Sequence, residues 1–477
     1  MGKSLRHLLI YITIMVAVMS ILTIVMTQGQ SLNSEAARGV ASEASHPEWL
    51  EMLKNEVSRN LALPLTSLLI QLLTILAFSR ICGRLASAIG QPKVVGEMVA
   101  GILLGKSVLA YFWPDGFAYL FPEAAMPRLY ILSQIGLVFF MFVVGLELNV
   151  KDIKNRASAA TLISHVSIVF PFTLGTILAL FLYKNYSPQN IAFSSFALFI
   201  GVAMSITAFP VLARIIQERQ LTGTPLGVMA ITCAAVDDVS AWCLLAAVLG
   251  VVKAGTFITA FGILILSIVY VVAMIKIVKP ALTKLLRPSI QGSFAPGQFA
   301  MVFCVVIGSA VISEVIGIHA LFGAFLAGTI MPKSESFRHN LVEKIEVFSS
   351  VVLLPLFFTF TGIRTQIGLL DDLNAWMVCF LIIAVAIVGK FIGSSVAARW
   401  SGMDLRESLA LGALMNTRGL MELIVLNIGY DLGILTPKVF SMFVLMALVT
   451  TFATGPLLTV FLSKDNSYLR RAGSALK

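Results

Sequence analysis

Residues 231–249 read ITCAAVDDVSAWCLLAAVL. Two adjacent carboxylates, Asp237 and Asp238, stand inside an apolar stretch that opens after Pro225 and closes near Lys253. A run of about 20 apolar residues crosses the hydrocarbon core of a bilayer as a helix. The pair lies eleven residues into that run, near its middle. Ionisable side chains are expensive at that depth, so each is a functional suspect.

Runs of the same kind fill the rest of the chain. Of 477 residues, 58% are hydrophobic and 12% charged, against roughly 25% charged in a soluble domain. No soluble core of this size hides so many apolar runs. Fourteen candidate spans follow: 8–27, 63–79, 93–113, 129–147, 158–183, 191–216, 226–252, 256–277, 298–316, 318–331, 346–363, 374–398, 407–429 and 437–462. The expected class is an all-α integral membrane protein. The run Leu8 to Met26 is long for a signal peptide, and Thr27-Gln28-Gly29-Gln30 is a poor cleavage site, so a retained membrane helix is expected. Residues 28–62 are the one long polar stretch, read as an external loop with a short helix near His46 to Arg59.

The net charge of +10 belongs on cytoplasmic loops rather than against nucleic acid. With the N-terminus inside, cytoplasmic segments hold 23 of the 34 Lys and Arg and external segments 9, while Lys390 and Arg418 fall within spans. Both termini are then cytoplasmic in a multi-pass protein of the plasma membrane, the inner membrane in a bacterium. The cysteines (Cys82, Cys233, Cys243, Cys304, Cys379) and the five histidines lack metal-ligand spacing, so no resident metal or cofactor is expected.

A repeat underlies the spans. VVGEMVAGIL (94–103) matches LFGAFLAGTI (321–330) at Gly96/Gly323, Ala100/Ala327 and Gly101/Gly328. FMFVVGLEL (140–148) matches FFTFTGIRT (357–365) at Phe140/Phe357 and Gly145/Gly362. AMSITAFPVL (203–212) matches ALMNTRGLME (413–422) at Thr207/Thr417. The offsets, 227, 217 and 210, shrink in order, as loop deletions between two copies produce. The matched spans lie seven crossings apart, an odd number, so the copies are inverted. The expected divisions are 1–62 (N-terminal helix and loop), 63–252 (first repeat), 253–297 (linker helix), 298–463 (second repeat) and 464–477 (basic tail). Inverted-repeat transporters place their sites near the midplane at broken helices.

Three features carry chemistry. A buried carboxylate beside a like charge holds a proton or a hard cation but not both, and that competition is the simplest basis for exchange. Lys390, in LIIAVAIVGKFIGSSVAARW, lies nine residues from Arg399, at a depth similar to Asp237. A buried ammonium needs a carboxylate, so it is expected to pair with Asp237 or Asp238. SITAFP (205–210) and MNTRG (415–419) supply Ser205, Thr207, Pro210, Asn416, Thr417, Arg418 and Gly419 at two repeat-related interruptions, where broken helices free backbone groups to face an ion. Arg418 is suited to offset the carboxylates or the dipole ends of half-helices. For Glu97, Glu147, Glu422, His165, His319 and Arg364 structural or interfacial roles are favoured.

GQPKVVGEMVAGILLGKSVLA, GLVFFMFVVGLEL, SITAFPVLARII, AAVDDVSAW, VGKFIGSSVAAR and MNTRGLMELIVLNIG closely resemble the monovalent cation:proton antiporter-2 family from about residue 63 to 462. The resemblance implies an inverted-repeat antiporter fold of about thirteen core helices, with one extra N-terminal helix here. It implies two crossed, unwound helices, mapped onto Thr207 and Thr417. It makes Asp238 the aspartate that carries Na+ or K+ or a proton, Asp237 its partner residue and Lys390 the membrane lysine. It further implies a homodimer embedded in lipid, with a core moving as an elevator. Lys106 stands where the family often has proline, which bears only on a local turn. Potassium-efflux members carry a C-terminal nucleotide-binding domain, and gating through one is not expected here. A sodium-coupled organic-anion symporter of similar fold and a cation channel or sensor are the competing functions.

Overall fold

The computed structural model describes residues 49–61, 63–147, 157–221, 224–254, 257–286, 296–332 and 341–462 except 343 and 346, with five scattered positions between 16 and 23. The helix expected at 8–27, those five positions aside, and the tail at 464–477 lie outside the described residues. Every regular element described is helical. Among the described residues, eleven segments are long and apolar enough to cross a membrane, and two shorter apolar helices, Phe193–Ser205 and Ala320–Ile330, accompany them.

Two compact units are distinguished, Met1–Ser67 and Leu68–Lys477. The first holds the helix Trp49–Leu61, in the polar stretch where a short helix is expected. Residues 51–60 are exposed, and Arg59 pairs with Glu56 at 2.8 Å.

In the larger unit the repeat appears as cross-pairing. Helix Lys93–Leu104 packs on Leu354–Arg364. Its repeat counterpart Ala320–Ile330 packs on Met126–Glu147, the counterpart of Leu354–Arg364. The glycines that the sequence aligns are the contact points. A Cβ on Gly362 would fall 2.4 Å from the Gly101 carbonyl carbon, and one on Gly145 would fall 2.1 Å from the Phe325 carbonyl oxygen. Small residues let helix backbones approach this closely in a membrane. With residues 68–88 and helix Pro296–Ile316 these elements form a scaffold, cemented by Ile75, Leu104, Leu129, Leu356 and Phe360.

The remaining spans form a second layer around two interrupted helices. The expected span 191–216 is two helices, Phe193–Ser205 and Phe209–Glu218. The expected span 407–429 is Leu405–Met415 and Leu420–Asp431. Pro210 sits in the first turn of its half-helix, where its missing N–H costs nothing. Gly419 has φ 155° and ψ −128°, a backbone conformation reserved for glycine, and caps Leu420–Asp431. Helices Ala157–Tyr186, Pro225–Ala254, Leu373–Trp400 and Pro437–Leu462 surround the interruptions. Ala160, Leu212, Cys233, Ala397, Leu411 and Leu458 run through this core layer as one buried cluster. The linker Phe257–Leu285 carries a π-helical turn at Met274–Val278.

Two more spans differ in extent for reasons that the residues show. The one at 63–79 extends to Ala88, because Arg80 and Arg84 ride an exposed face while Cys82, Gly83 and Ala86 turn inward. The one at 318–331 is a helix of eleven residues, entered through a tight turn with Gly317 at φ 101° and His319 at φ 81°.

Candidate functional site

The site begins with a proline. Pro171 lies inside helix Ala157–Tyr186 and has no N–H to donate to the carbonyl four residues back, that of Ser167. That freed carbonyl accepts a hydrogen bond from Lys390 Nζ at 2.9 Å. Lys390 stands in a π-helical turn, Val388–Ile392, whose Gly389 lies against Pro171: a Cβ there would fall 2.9 Å from the Pro171 Cα. Single π-helical turns inside α-helices recur at functional positions. The lysine is fully buried. It also donates to Asp237 Oδ2 at 2.8 Å and to the carbonyl oxygen of Ser205. Three acceptors meet the three donors of an ammonium.

Of the two carboxylates that the sequence leaves open, Asp237 is the one that meets Lys390, with Ser164 Oγ donating to its other oxygen at 3.3 Å. Asp238 is 1% exposed, and neither of its oxygens has a hydrogen-bond partner among the described residues. Consecutive side chains on an α-helix diverge by about 100°, so adjacent carboxylates enter different surroundings. One is neutralised by an ammonium, and the other is left without a donor.

The interruptions cap one another. Helix Phe193–Ser205, like any α-helix, ends with four carbonyls that have no partner within it, and three of these are claimed by cations. Arg418 donates to two of them, Ala203 at 3.0 Å and Met204 at 2.7 Å, and Lys390 takes the third, Ser205. Two cations therefore stand at the negative end of that helix dipole. In return Thr207 Oγ1 donates to the Met415 carbonyl at 3.0 Å and the Ala208 N–H to the Thr417 carbonyl at 3.0 Å. Thr451, on Pro437–Leu462, accepts from the Arg418 N–H at 3.0 Å and donates to the Arg418 carbonyl at 2.6 Å. Thr417 faces Thr454 at 3.3 Å. Asn416 is buried with its Oδ1 unpartnered.

The other candidates take these places. The Ser205 hydroxyl bonds back to Gly201 O at 2.6 Å, so this residue reaches Lys390 through its carbonyl. Glu422 is fully buried 3.4 Å from Arg418, which fits the structural of the two roles favoured for it. Glu97 is half-buried among the charges of Arg80, Lys93 and Arg214. His165 is exposed, with Nδ1 on its own helix at Thr161 O, and His319 caps Ala320–Ile330. Arg364 binds Asp431 at 2.7 Å. The side chains of Pro210 and Glu147 lie outside the description. Sequence reasoning missed Ser164, Ser167, Thr451 and Thr454. Pro171 with a residue four positions earlier was a usable signal for one of them.

Two inverted repeats that cross through interrupted helices, beside ionisable groups buried in membrane-spanning segments, define a secondary-transporter fold. The comparisons agree. The chain matches the family described as sodium/hydrogen exchanger, transmembrane, over residues 73–464, and it belongs to that family. It is 45% identical over 392 residues to the Na(+)/H(+) antiporter NhaS4 of Synechocystis sp., covering 82% of this chain and 96% of that protein. It is 39% identical to Cation/H(+) antiporter 17 of Arabidopsis thaliana, over 83% of this chain and 48% of the relative. It is 32% identical to K(+)/H(+) antiporter 1 of Saccharomyces cerevisiae, over 84% of this chain and 47% of the relative. It thus spans about half the length of the plant and yeast proteins. The solved sodium proton antiporter MjNhaP1 of Methanocaldococcus jannaschii shares the fold, with a TM-score of 0.59 at 15% identity over 82% of this chain and 96% of that one.

Proposed function

We propose that this chain exchanges protons for a monovalent cation, Na+ or K+, with Asp238 as the group that holds one or the other. The observation that carries the proposal is the pair of unpartnered oxygens on a carboxylate 1% exposed. An ionised carboxylate withdrawn from water without donors is strongly disfavoured. A bound proton or a desolvated alkali ion relieves it, and the two exclude each other. Taking Lys390 with Asp237 and Arg418 with Glu422 as ion pairs, Asp238 carries the one uncompensated charge of this cluster. One monovalent ion neutralises it.

Thr207, Thr417 and Asn416 at the crossing supply oxygens for the cation, and Arg418 and Lys390 hold the half-helix ends in place. The core layer carries the site past the scaffold in an elevator-like movement. A homodimer in lipid, a bacterial inner membrane and cytoplasmic termini complete the proposal, following the family resemblance and the distribution of basic residues. Both Na+ and K+ are proposed as cargo, since the relatives include a Na(+)/H(+) and a K(+)/H(+) antiporter.

Proteoliposomes loaded with a pH dye test this. Added Na+ or K+ should drive proton efflux from the lumen. With Lys390 charged throughout, the rate should be unchanged when the membrane potential is clamped at different values. Cation entry without proton movement would indicate a channel. Proton movement only with an organic anion present would indicate a symporter. Either result overturns the proposal.

A further inference from the structure

The ion pair at the end of the second interrupted helix has no part in the site above. Asp431 closes the half-helix Leu420–Asp431 of the core layer, and Arg364 closes the scaffold helix Leu354–Arg364. Arg364 NH1 donates to Asp431 Oδ1 at 2.7 Å and to Asn427 Oδ1 at 3.1 Å. Tyr130, on the scaffold helix Met126–Glu147, donates its hydroxyl to the other Asp431 oxygen at 3.0 Å. One turn deeper, Asn427 Nδ2 donates to scaffold Thr361 Oγ1 at 2.9 Å. The guanidinium is boxed by rings, 4.3 Å from the Phe360 centroid, 5.3 Å from Tyr130 and 5.2 Å from Tyr430. Its side chain is 19% exposed and that of Asp431 30%.

Both oxygens of one core carboxylate, at the end of the half-helix Leu420–Asp431, are therefore held by scaffold donors. A charged hydrogen bond in a partly desolvated box is among the stronger polar contacts a protein makes. Any displacement of the core past the scaffold must break all four contacts together. The bonds Arg418 makes across the interruption lie wholly within the core layer and survive such a movement.

On the basis of the exchange proposed above, we infer that Asp431, Arg364 and Tyr130 form a latch that keeps the carrier closed at this face, and that these are positioning residues for alternating access. The latch stabilises the conformation in which the face bearing Arg364 is shut. Weakening it raises the population open to that face. A ligand's apparent affinity scales with the fraction of protein competent to bind it, so the two faces must respond in opposite directions.

The test uses right-side-out and everted vesicles carrying the full chain, with the half-saturating Na+ or K+ concentration measured from each face. Asp431→Asn and the milder Tyr130→Phe should each lower that concentration at the Arg364 face, by about fivefold for Asp431→Asn, and raise it at the other. Arg364→Asp combined with Asp431→Arg should return both values toward wild type. Tyr130→Phe removes one hydroxyl and leaves the ring in place, so it stays informative if the charge variants fail to fold. Shifts in the same direction at both faces, unchanged values, or a double exchange no better than its single variants would overturn the latch while leaving exchange intact. Absence of exchange in wild-type vesicles would overturn the proposed function and the latch with it.

Discussion

Asp237 and Asp238 are chemically identical neighbours that receive opposite treatment. Asp237 has an ammonium at 2.8 Å and a hydroxyl at 3.3 Å, while Asp238 has no hydrogen-bond donor among the described residues. Lys390 makes the difference. Removing one member of a buried ion pair costs about 3–5 kcal/mol, because the other charge is left uncompensated. Lys390→Ala strands Asp237 together with the Ser167 and Ser205 carbonyls, so its thermal unfolding midpoint in detergent should fall well below wild type. Lys390→Met with Asp237→Leu should recover much of the loss, since an apolar pair of similar volume replaces both charges. An unchanged midpoint for Lys390→Ala would mean the pair does not hold the layer together. The exposed pair Lys438–Asp371, at 3.1 Å, offers a contrast. Lys438 holds the Asp371 carboxyl below its usual range. Any stability this gives is present above the ordinary carboxylate pKa and lost as pH falls through the lowered one, and it is small because water screens the pair.

Helices meet here through glycine where the repeats cross. Gly101 against Gly362 and Gly145 against Gly328 leave no room for a Cβ, since the neighbouring atoms are backbone. Gly308, in Pro296–Ile316, has nothing within 4 Å of where its Cβ would stand. Gly362→Ala should lower the unfolding midpoint by an amount equivalent to about 1–3 kcal/mol of overpacking. Gly308→Ala should leave it unchanged or raise it, as an open helical glycine replaced by alanine does. Equal responses at the two positions would refute the close crossing. These elements were largely legible in the sequence. Apolar runs mark spans because lipid demands them, and Pro210 and Gly419 mark the interruptions because each restricts the backbone. Lys390 was legible as a residue needing a carboxylate. Its choice between two adjacent ones was not, because periodicity fixes a helix's faces and not its rotation against neighbours. The carbonyl acceptors at Ser167, Ala203, Met204 and Ser205 were hidden for a plainer reason: every residue has a carbonyl, and only tertiary placement shows which ones are used. Asp431 escaped notice because a charge at the end of a span is ordinary.

Across the whole molecule, a scaffold joined by repeat-exchanged helix pairs carries a core layer whose interrupted helices cap one another. Within that core the described ion pairs cancel, apart from one carboxylate. Asp238 is therefore predicted to give up its proton as the cation arrives. The direct measurement is proton release from purified protein in weakly buffered detergent solution, followed with a pH dye as Na+ or K+ is added. Wild-type protein should release about one proton for each cation bound, and folded Asp238→Asn should release none. Equal release from Asp238→Asn, or cation binding by the wild type with no proton released, would contradict the account.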